Sequence, residues 1–214
     1  MSITGQGHFI TLEGSEGAGK STMMTRTREW LEQAGHSVVT TREPGGTPLA
    51  EEIRGLVLDA SSEDGADSPG KLTELLLVFA SRAQHLERLI RPELSKGKTI
   101  LCDRFTDSSW AYQGGGRGMP DEWIADLENL VHGDLQPDLT LLLDLDVETG
   151  LGRASQRSDP DWFEREKVDF FDRVRSVYLK RAAGAPQRFV IIDASLDEEA
   201  VWSQIESCLN ERFS

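Results

Sequence analysis

Two cysteines in 214 residues are too few for a disulfide framework, and neither Cys102 nor Cys208 has metal-ligand spacing around it. They read as reduced thiols of a cytoplasmic protein. No apolar run approaches membrane-spanning length, and no basic stretch followed by an apolar run opens the chain, so neither insertion nor secretion is expected. Positive charge is also short: 23 Lys and Arg against 37 Asp and Glu leave a formal net charge of −14. Wrapping a nucleic-acid polymer depends on neutralising many phosphates, which this balance disfavours. Arginines gathered in a cleft can still bind a small phosphorylated ligand against the overall field. Internal repeats are absent. With 38% hydrophobic residues the chain can bury one substantial core, and a single domain over residues 1–214 is expected.

What is present is a phosphate-binding pattern. Gly14-Ser15-Glu16-Gly17-Ala18-Gly19-Lys20-Ser21-Thr22 completes G-x-x-x-x-G-K-[ST] directly behind the apolar run Phe9-Ile10-Thr11-Leu12. Its glycines let successive backbone N–H groups point into one cavity, completed by the positive end of the following helix. Lys20 is expected to reach the β and γ phosphates of a nucleoside triphosphate, and the Ser21 hydroxyl to ligate Mg²⁺. A chance match in a chain this long has a probability on the order of one in a hundred. A ligand-free glycine turn would moreover leave a cluster of N–H groups unpaired.

Five short β-branched or apolar segments recur between helix-like stretches: residues 8–12, 38–41, 99–102, 139–143 and 189–192. Such alternation predicts an α/β fold, a parallel sheet covered by helices on both faces. Each segment runs into a polar residue, Glu13, Arg42, Asp103, Asp144 or Asp193, at the strand end where ligands of open α/β sheets gather. Helices are predicted over 22–33, with Gly35 as its C-terminal stop, and from Ser68-Pro69 along a stripe of Leu72, Leu75, Leu76, Phe79, Ala83 and Leu86 to a kink or end at Pro92. Further helices are predicted over 122–131, 147–156, 163–183 and 198–211. Residues 61–68 read as a mobile polar loop, and Gly114-Gly115-Gly116-Arg117-Gly118 is the second glycine cluster.

Several side chains fit phosphoryl transfer. Ile100-Leu101-Cys102-Asp103 resembles the second motif of phosphate-loop proteins, in which Asp103 would help hold Mg²⁺; the alternative is a turn cap. Arg42, Arg104 and Arg82 could converge on one phosphate and one base, since a planar guanidinium matches two phosphate oxygens; taken singly, each reads as a surface residue or ion-pair partner. Arg153 and Arg157 share a helix face before the break at Asp159-Pro160, and the segment around 150–165 looks like a lid that would neutralise transferring charge and exclude water. A helix with two solvated arginines fits the spacing nearly as well. Gly150-Leu151-Gly152 lacks the third glycine of a dinucleotide fingerprint, where Ser155 stands. Phe79 is either core or a nucleobase wall beside Arg82. Ser108, Ser109, Tyr112 and Gln113 supply groups able to distinguish a base and a sugar. The four histidines, His8, His36, His85 and His132, are scattered and expected in surface or cap roles.

Thr41-Arg42-Glu43-Pro44-Gly45-Gly46-Thr47, Phe79-Ala80-Ser81-Arg82, Asp103-Arg104-Phe105 and Ala111-Tyr112-Gln113-Gly114 together resemble thymidylate kinase, over nearly the whole chain. The resemblance implies a three-layer P-loop kinase fold with a five-stranded parallel sheet and a lid. It implies transfer of the γ-phosphoryl of ATP to dTMP, giving dTDP and ADP for dTTP synthesis, commonly by homodimers. It further implies that Phe79 stacks on thymine, that Arg82 reads its ring with Ser109 and Gln113 nearby, and that Arg42 and Arg104 hold the dTMP phosphate. Tyr112 would crowd the sugar against a 2′-hydroxyl, and Glu16 would contact the sugar and orient the acceptor. Arg153 and Arg157 match the lid of bacterial-type enzymes, whose phosphate loop has no arginine; Gly17 stands at that position here. Phe105 departs from the tyrosine many members carry.

Catalysis then consists of alignment and charge stabilisation by Lys20, Mg²⁺, Arg104 and the lid arginines. A GTP-driven switch would need an Asn-Lys-x-Asp segment, which the sequence lacks. An ATP-dependent ligase has no use for the Phe79 and Arg82 pair, and another nucleotide kinase on the same fold is the nearest alternative.

Overall fold

The structure is a computed structural model that describes residues 7–58, 68–154 and 168–213. Five parallel strands, β1 (Phe9–Glu13), β2 (Val38–Arg42), β3 (Thr99–Asp103), β4 (Leu139–Asp144) and β5 (Phe189–Asp193), form one sheet in the order β2-β3-β1-β4-β5. β1 and β4 are apolar and almost wholly buried, as parallel strands covered on both faces must be. Each strand runs one residue beyond its apolar segment. Glu13 pairs with Leu142, Arg42 with Asp103 and Asp144 with Asp193, because ladder hydrogen bonds do not depend on side-chain polarity. The polar residues expected just after the strands are therefore fixed on the last rung of the sheet.

Helix α1 (Lys20–Gln33) starts two residues earlier than predicted, at the phosphate-loop lysine. It ends in a Schellman motif: His36 N–H donates to the Leu31 carbonyl and Gly35 N–H to that of Glu32, with Gly35 at φ +92°. Helix α2 (Pro48–Leu58) escaped the sequence pattern. Its signal is Thr47-Pro48: the Thr47 hydroxyl accepts the Ala50 N–H, and Pro48 occupies a first turn that needs no donor.

Helix α3 (Lys71–His85) does not end at Pro92 but passes through a π-helical turn (Leu86–Ile90) into the short α4 (Arg91–Leu94). A wider turn directly before the proline gives its ring room in place of a clash with a preceding carbonyl. The buried face of α3 is Leu75, Val78, Phe79, Arg82 and His85, while Leu72, Leu76 and Ala83 of the predicted stripe are exposed. Hydropathy cannot register a face on which Arg82 and His85 belong to the interior.

The first three residues of the second glycine cluster, Gly114 to Gly116, are helical, whereas Gly118 lies beyond the helix at φ 72°. Short α5 (Thr106–Ser109) continues into a π-helical segment (Trp110–Gly116), followed by α6 (Asp121–Val131). Its glycines serve close approach: a Cβ on Gly116 would lie 2.4 Å from the Phe170 ring of α8 (Val168–Gly184). Helix α7 (Val147–Ala154) precedes α8, and α9 (Glu198–Phe213) closes the chain against α1. Among the described residues, no helix is long and apolar enough to cross a membrane. The polar segment predicted as a loop falls almost entirely outside the described residues, as do Arg157, Asp159-Pro160 and most of the predicted lid.

Gly150, discarded as part of a dinucleotide fingerprint, has a packing role. A Cβ on Gly17 of the phosphate loop would stand 2.0 Å from the Gly150 carbonyl, and one on Gly150 would stand 2.7 Å from that of Glu16. Helix α7 thus rests backbone to backbone on the phosphate loop. Gly150→Ala is expected to destabilise the protein by about 1–3 kcal/mol through overpacking. Gly152→Ala, on the exposed side of the same helix, where among the described residues no atom beyond its chain neighbours and its own helix backbone comes within 4 Å of an added Cβ, should be neutral or stabilising by up to about 1 kcal/mol. Urea unfolding midpoints of the two variants check the contrast.

Candidate active site

The loop between β1 and α1 curls over the carboxyl end of the sheet. Lys20 is buried, and its Nζ donates to the carbonyls of Gly14 at 3.0 Å and Ser15 at 3.3 Å. Burial pulls its pKa down, and Arg104 adds to that, against Glu16, Asp103 and Glu13. A cavity of about 200 Å³ lies against the loop's Glu16–Ser21 stretch. Its remaining wall carries Arg54, Arg82, Asp103 and Arg104, with Ser108, Ser109, Tyr112 and Gln113 beside them. Cations gather locally in a chain of net charge −14, as a phosphorylated ligand requires.

Arg104 follows β3 in a left-handed backbone conformation, φ 69°, the one positive φ of a non-glycine among the described residues. Such a conformation costs about 1–2 kcal/mol for a residue with a Cβ and persists only where surroundings over-determine it. Its Nη2 donates to Glu16 Oε1 at 2.6 Å and to the Tyr112 hydroxyl at 3.1 Å, and its Nη1 to Ser108 Oγ at 3.3 Å and the Tyr178 hydroxyl at 3.2 Å. Burial pushes the Glu16 carboxyl up, but Arg104 and Lys20 outweigh it and hold it below the usual carboxylate range. Burial raises the Tyr112 hydroxyl, which stays a neutral donor.

A second network centres on Arg82, which is 1% exposed. Its Nε donates to Glu43 Oε2 at 2.7 Å and its Nη2 to Ser109 Oγ at 2.9 Å and the Phe105 carbonyl at 3.2 Å. Nη1 is buried with no hydrogen-bond partner among the described residues. Glu43 also meets His85 Nδ1 at 3.0 Å, and His85 Nε2 meets Thr41 Oγ1 at 2.7 Å. Burial raises the Glu43 carboxyl, and Arg82 with His85 reverses this, so it stays ionised. Gln113 Nε2 donates to Glu74 at 2.9 Å, which fixes the orientation of its amide.

Ser21 and Asp103 border the same cavity, and Asp103 Oδ1 is buried without a hydrogen-bond partner among the described residues. One hydroxyl and one carboxylate fit a hard cation such as Mg²⁺, which keeps several waters and takes few protein ligands. No cluster of three or more His, Cys, Asp or Glu able to hold a metal occurs among the described residues.

Three expected residues do not line this cavity. Arg42 does not border this cavity; it is exposed and paired with Glu51 at 2.8 Å, because α2 supplies a carboxylate at the end of β2. Phe79 is 1% exposed in a cluster with Leu75, Met119 and Ile124, with the Arg82 guanidinium 4.6 Å from its ring centroid. Arg153 donates to the Ala194 carbonyl at 2.9 Å and borders a second cavity, about 260 Å³, between Gly17–Gly19 and the stretch Ala194–Glu198. Other site groups were not singled out in the sequence: Arg54 because α2 went unrecognised, Tyr178 because α8 is distant in sequence, and Glu43 and His85 because nothing marks a polar residue as interior. His85 and His132 are both buried; His132 takes the expected cap role, at the C-cap of α6, whereas His85 lies inside the Glu43 network. The strand-end position of Glu13 was the one available signal for it.

Comparison with known proteins places the chain in a family. The family profile described as thymidylate kinase matches residues 12–205. A thymidylate kinase of Pseudomonas putida (strain F1) is 57% identical over 203 residues, 95% of each chain, and one of Chromohalobacter salexigens is 54% identical over 209 residues, 97% of each. The crystal structure of thymidylate kinase from Ehrlichia chaffeensis superposes with a TM-score of 0.76 at 33% identity, covering 95% of this chain and 98% of that one. With a parallel five-stranded sheet, a phosphate loop and an arginine-lined cavity sharing its wall, the chain belongs to the thymidylate kinase family.

Proposed function

We propose that this protein transfers the γ-phosphoryl group of ATP to dTMP, yielding dTDP and ADP. One observation carries the reading: the phosphate loop is a common wall of two cavities, one lined by arginines and base-reading groups, the other by Arg153 and the Ala194–Glu198 stretch. A donor in the second and an acceptor in the first meet at Lys20. Arg104 and Arg54 hold the acceptor phosphate; Arg54 takes the part first expected of Arg42 because it borders the acceptor cavity. Arg82 offers its unpartnered Nη1 to a thymine carbonyl, with Phe79 as the wall behind it and Ser109 and Gln113 alongside. Glu16 accepts from the sugar 3′-hydroxyl, and Tyr112 crowds the 2′ position.

The acceptor phosphate has a second pKa of about 6 and is largely dianionic at neutral pH, so no strong base is needed. Positioning and charge neutralisation suffice. Ser21 and Asp103 would hold Mg²⁺, which supplies charge neutralisation to the β and γ phosphates when bound. Arg153 packs at the donor base, and Arg157 serves as the lid arginine within about 150–165. The chain works as a single domain over 1–214 in the cytoplasm. It pairs as a homodimer through the exposed apolar faces of α3 and α6, where Leu72, Leu76, Trp123 and Leu130 lie open to solvent.

A coupled assay of ATP against dTMP, dUMP, dCMP, dGMP and dAMP tests the central claim, with dTMP expected to be preferred. Arg104→Ala should lower kcat/KM for dTMP by roughly 10²–10³-fold, the range seen when one hydrogen-bond donor to the developing charge is removed. Arg153→Ala should raise KM for ATP by roughly 3- to 30-fold, the range of one lost cation–π contact, with KM for dTMP unchanged. Glu43→Gln leaves Arg82 buried without its counter-charge and should cost about 3–5 kcal/mol, read as a lowered urea midpoint.

A further inference from the structure

Glu13, the last residue of β1, is wholly buried beside the acceptor cavity and has no part in the chemistry above. Its Oε1 accepts the Phe105 N–H at 2.8 Å. Oε2 lies 2.6 Å from Ser108 Oγ and 2.8 Å from the Tyr178 hydroxyl, and those two hydroxyls are themselves 2.8 Å apart. Three oxygens therefore make three mutual contacts. Each hydroxyl brings one proton, so two protons serve three contacts, and a third on the Glu13 carboxyl completes the ring. In the completed ring each hydroxyl oxygen donates once and accepts once, keeping a lone pair for Arg104 Nη1, which reaches both.

The charges around Glu13 agree. It is faced by Asp107 of α5, by Cys102 and Arg104 at the end of β3, by Tyr112 of the π-helical segment, by Tyr178 of α8 and by Lys20 of α1. Burial and then Asp107 raise the Glu13 pKa, Arg104 and the bonds from Ser108 and Phe105 oppose them, and the result is about 7. Tyr178 is pushed well above its ordinary value by burial and by Glu13, so its proton stays in the ring. Asp107 is already held by Arg181 and Arg188.

We propose that Glu13 is a positioning residue that works as a neutral acid, orienting Ser108 and Tyr178 to hold Arg104 while adding no negative charge beside the acceptor phosphate. Arg104 already meets one carboxylate, Glu16, at 2.6 Å. A second would leave the guanidinium between two anions before the phosphate arrives. Through the Phe105 N–H, Glu13 also fixes the residue that follows the left-handed Arg104 backbone.

This rests on the dTMP reading of the cavity and has a consequence of definite sign. Free Glu13 is neutral below about pH 7 and ionises above it. A bound phosphate dianion opposes that ionisation, so above pH 7 dTMP binding draws one proton from solvent onto Glu13. If the phosphate strengthens the hold on that proton tenfold, dTMP affinity weakens by up to about tenfold as pH rises past both values. The phosphate's own titration, near pH 6, acts in the opposite direction and is complete by then.

Calorimetric titration of the full chain with dTMP at pH 8, in two buffers of different ionisation heat, counts the proton. The native protein should take up a fraction of a proton, and its Kd for dTMP should rise several-fold between pH 7 and 9. Glu13→Gln, which keeps an acceptor for Phe105 and a donor for the hydroxyls, should bind without uptake and with a flat profile. Binding of dTMP to the native protein without proton uptake, or uptake retained in Glu13→Gln, overturns the proposal. Should the variant not fold, the ¹³C shift of the native Glu13 carboxyl reads the same proton: its midpoint must rise when dTMP is added, and a fixed midpoint overturns the proposal. Absence of any dTMP binding overturns the acceptor reading itself, an outcome distinct from binding without uptake.

Discussion

Arg104 gathers the carboxyl end of the sheet into one site. Its guanidinium is held by Glu16 from the phosphate loop, Ser108 from α5, Tyr112 from the π-helical segment and Tyr178 from α8. Its backbone N–H returns to the Leu12 carbonyl of β1. Groups from so many segments meet only if strand register, the close packing of α8 on the π-helical segment and the curl of the phosphate loop are all satisfied. The left-handed backbone at Arg104 is compatible with that convergence, since many independent bonds oppose relaxation to an ordinary conformation.

Glycine sets the distances on which the site depends. The phosphate loop and α7 meet through Gly17 and Gly150, and the π-helical segment meets α8 through Gly115 and Gly116. A side chain at any of these positions would force the facing backbone or ring away. The loop is therefore thin enough to be shared, with one cavity on either side of Gly17, Ala18 and Gly19. Close backbone packing thus sets two cavities against one loop.

Much of this was legible in the chain. The apolar segments located all five strands to within a residue, because burial on both faces of a parallel sheet demands such runs. The phosphate loop and the strand-end residues Asp103 and Arg104 were identified for the same kind of reason: their chemistry is tied to a position in the fold. Helix α2 was hidden behind a short capping signal, and with it Arg54. The buried face of α3 was misread because Arg82 and His85 are interior while Leu72 and Leu76 are not. A buried polar residue is stabilised by partners such as Glu43 that lie far away in sequence, and periodicity carries no record of them.

The sequence by itself determined the class of fold, the phosphate loop and the supply of arginines at the sheet edge. These follow from local pattern: the period of apolar residues, the glycines of an anion-binding turn, and strand ends marked by charge. Which arginine faces which cavity was decided by tertiary structure alone. Arg42 turns to Glu51 because α2 returns beside β2, Arg153 turns to the Ala194 carbonyl because α7 lies against the β5–α9 connection, and Arg104 turns inward because four segments offer it acceptors. The direction of a long charged side chain is set by the nearest opposite charge or lone pair, and that neighbour exists only once the chain has folded.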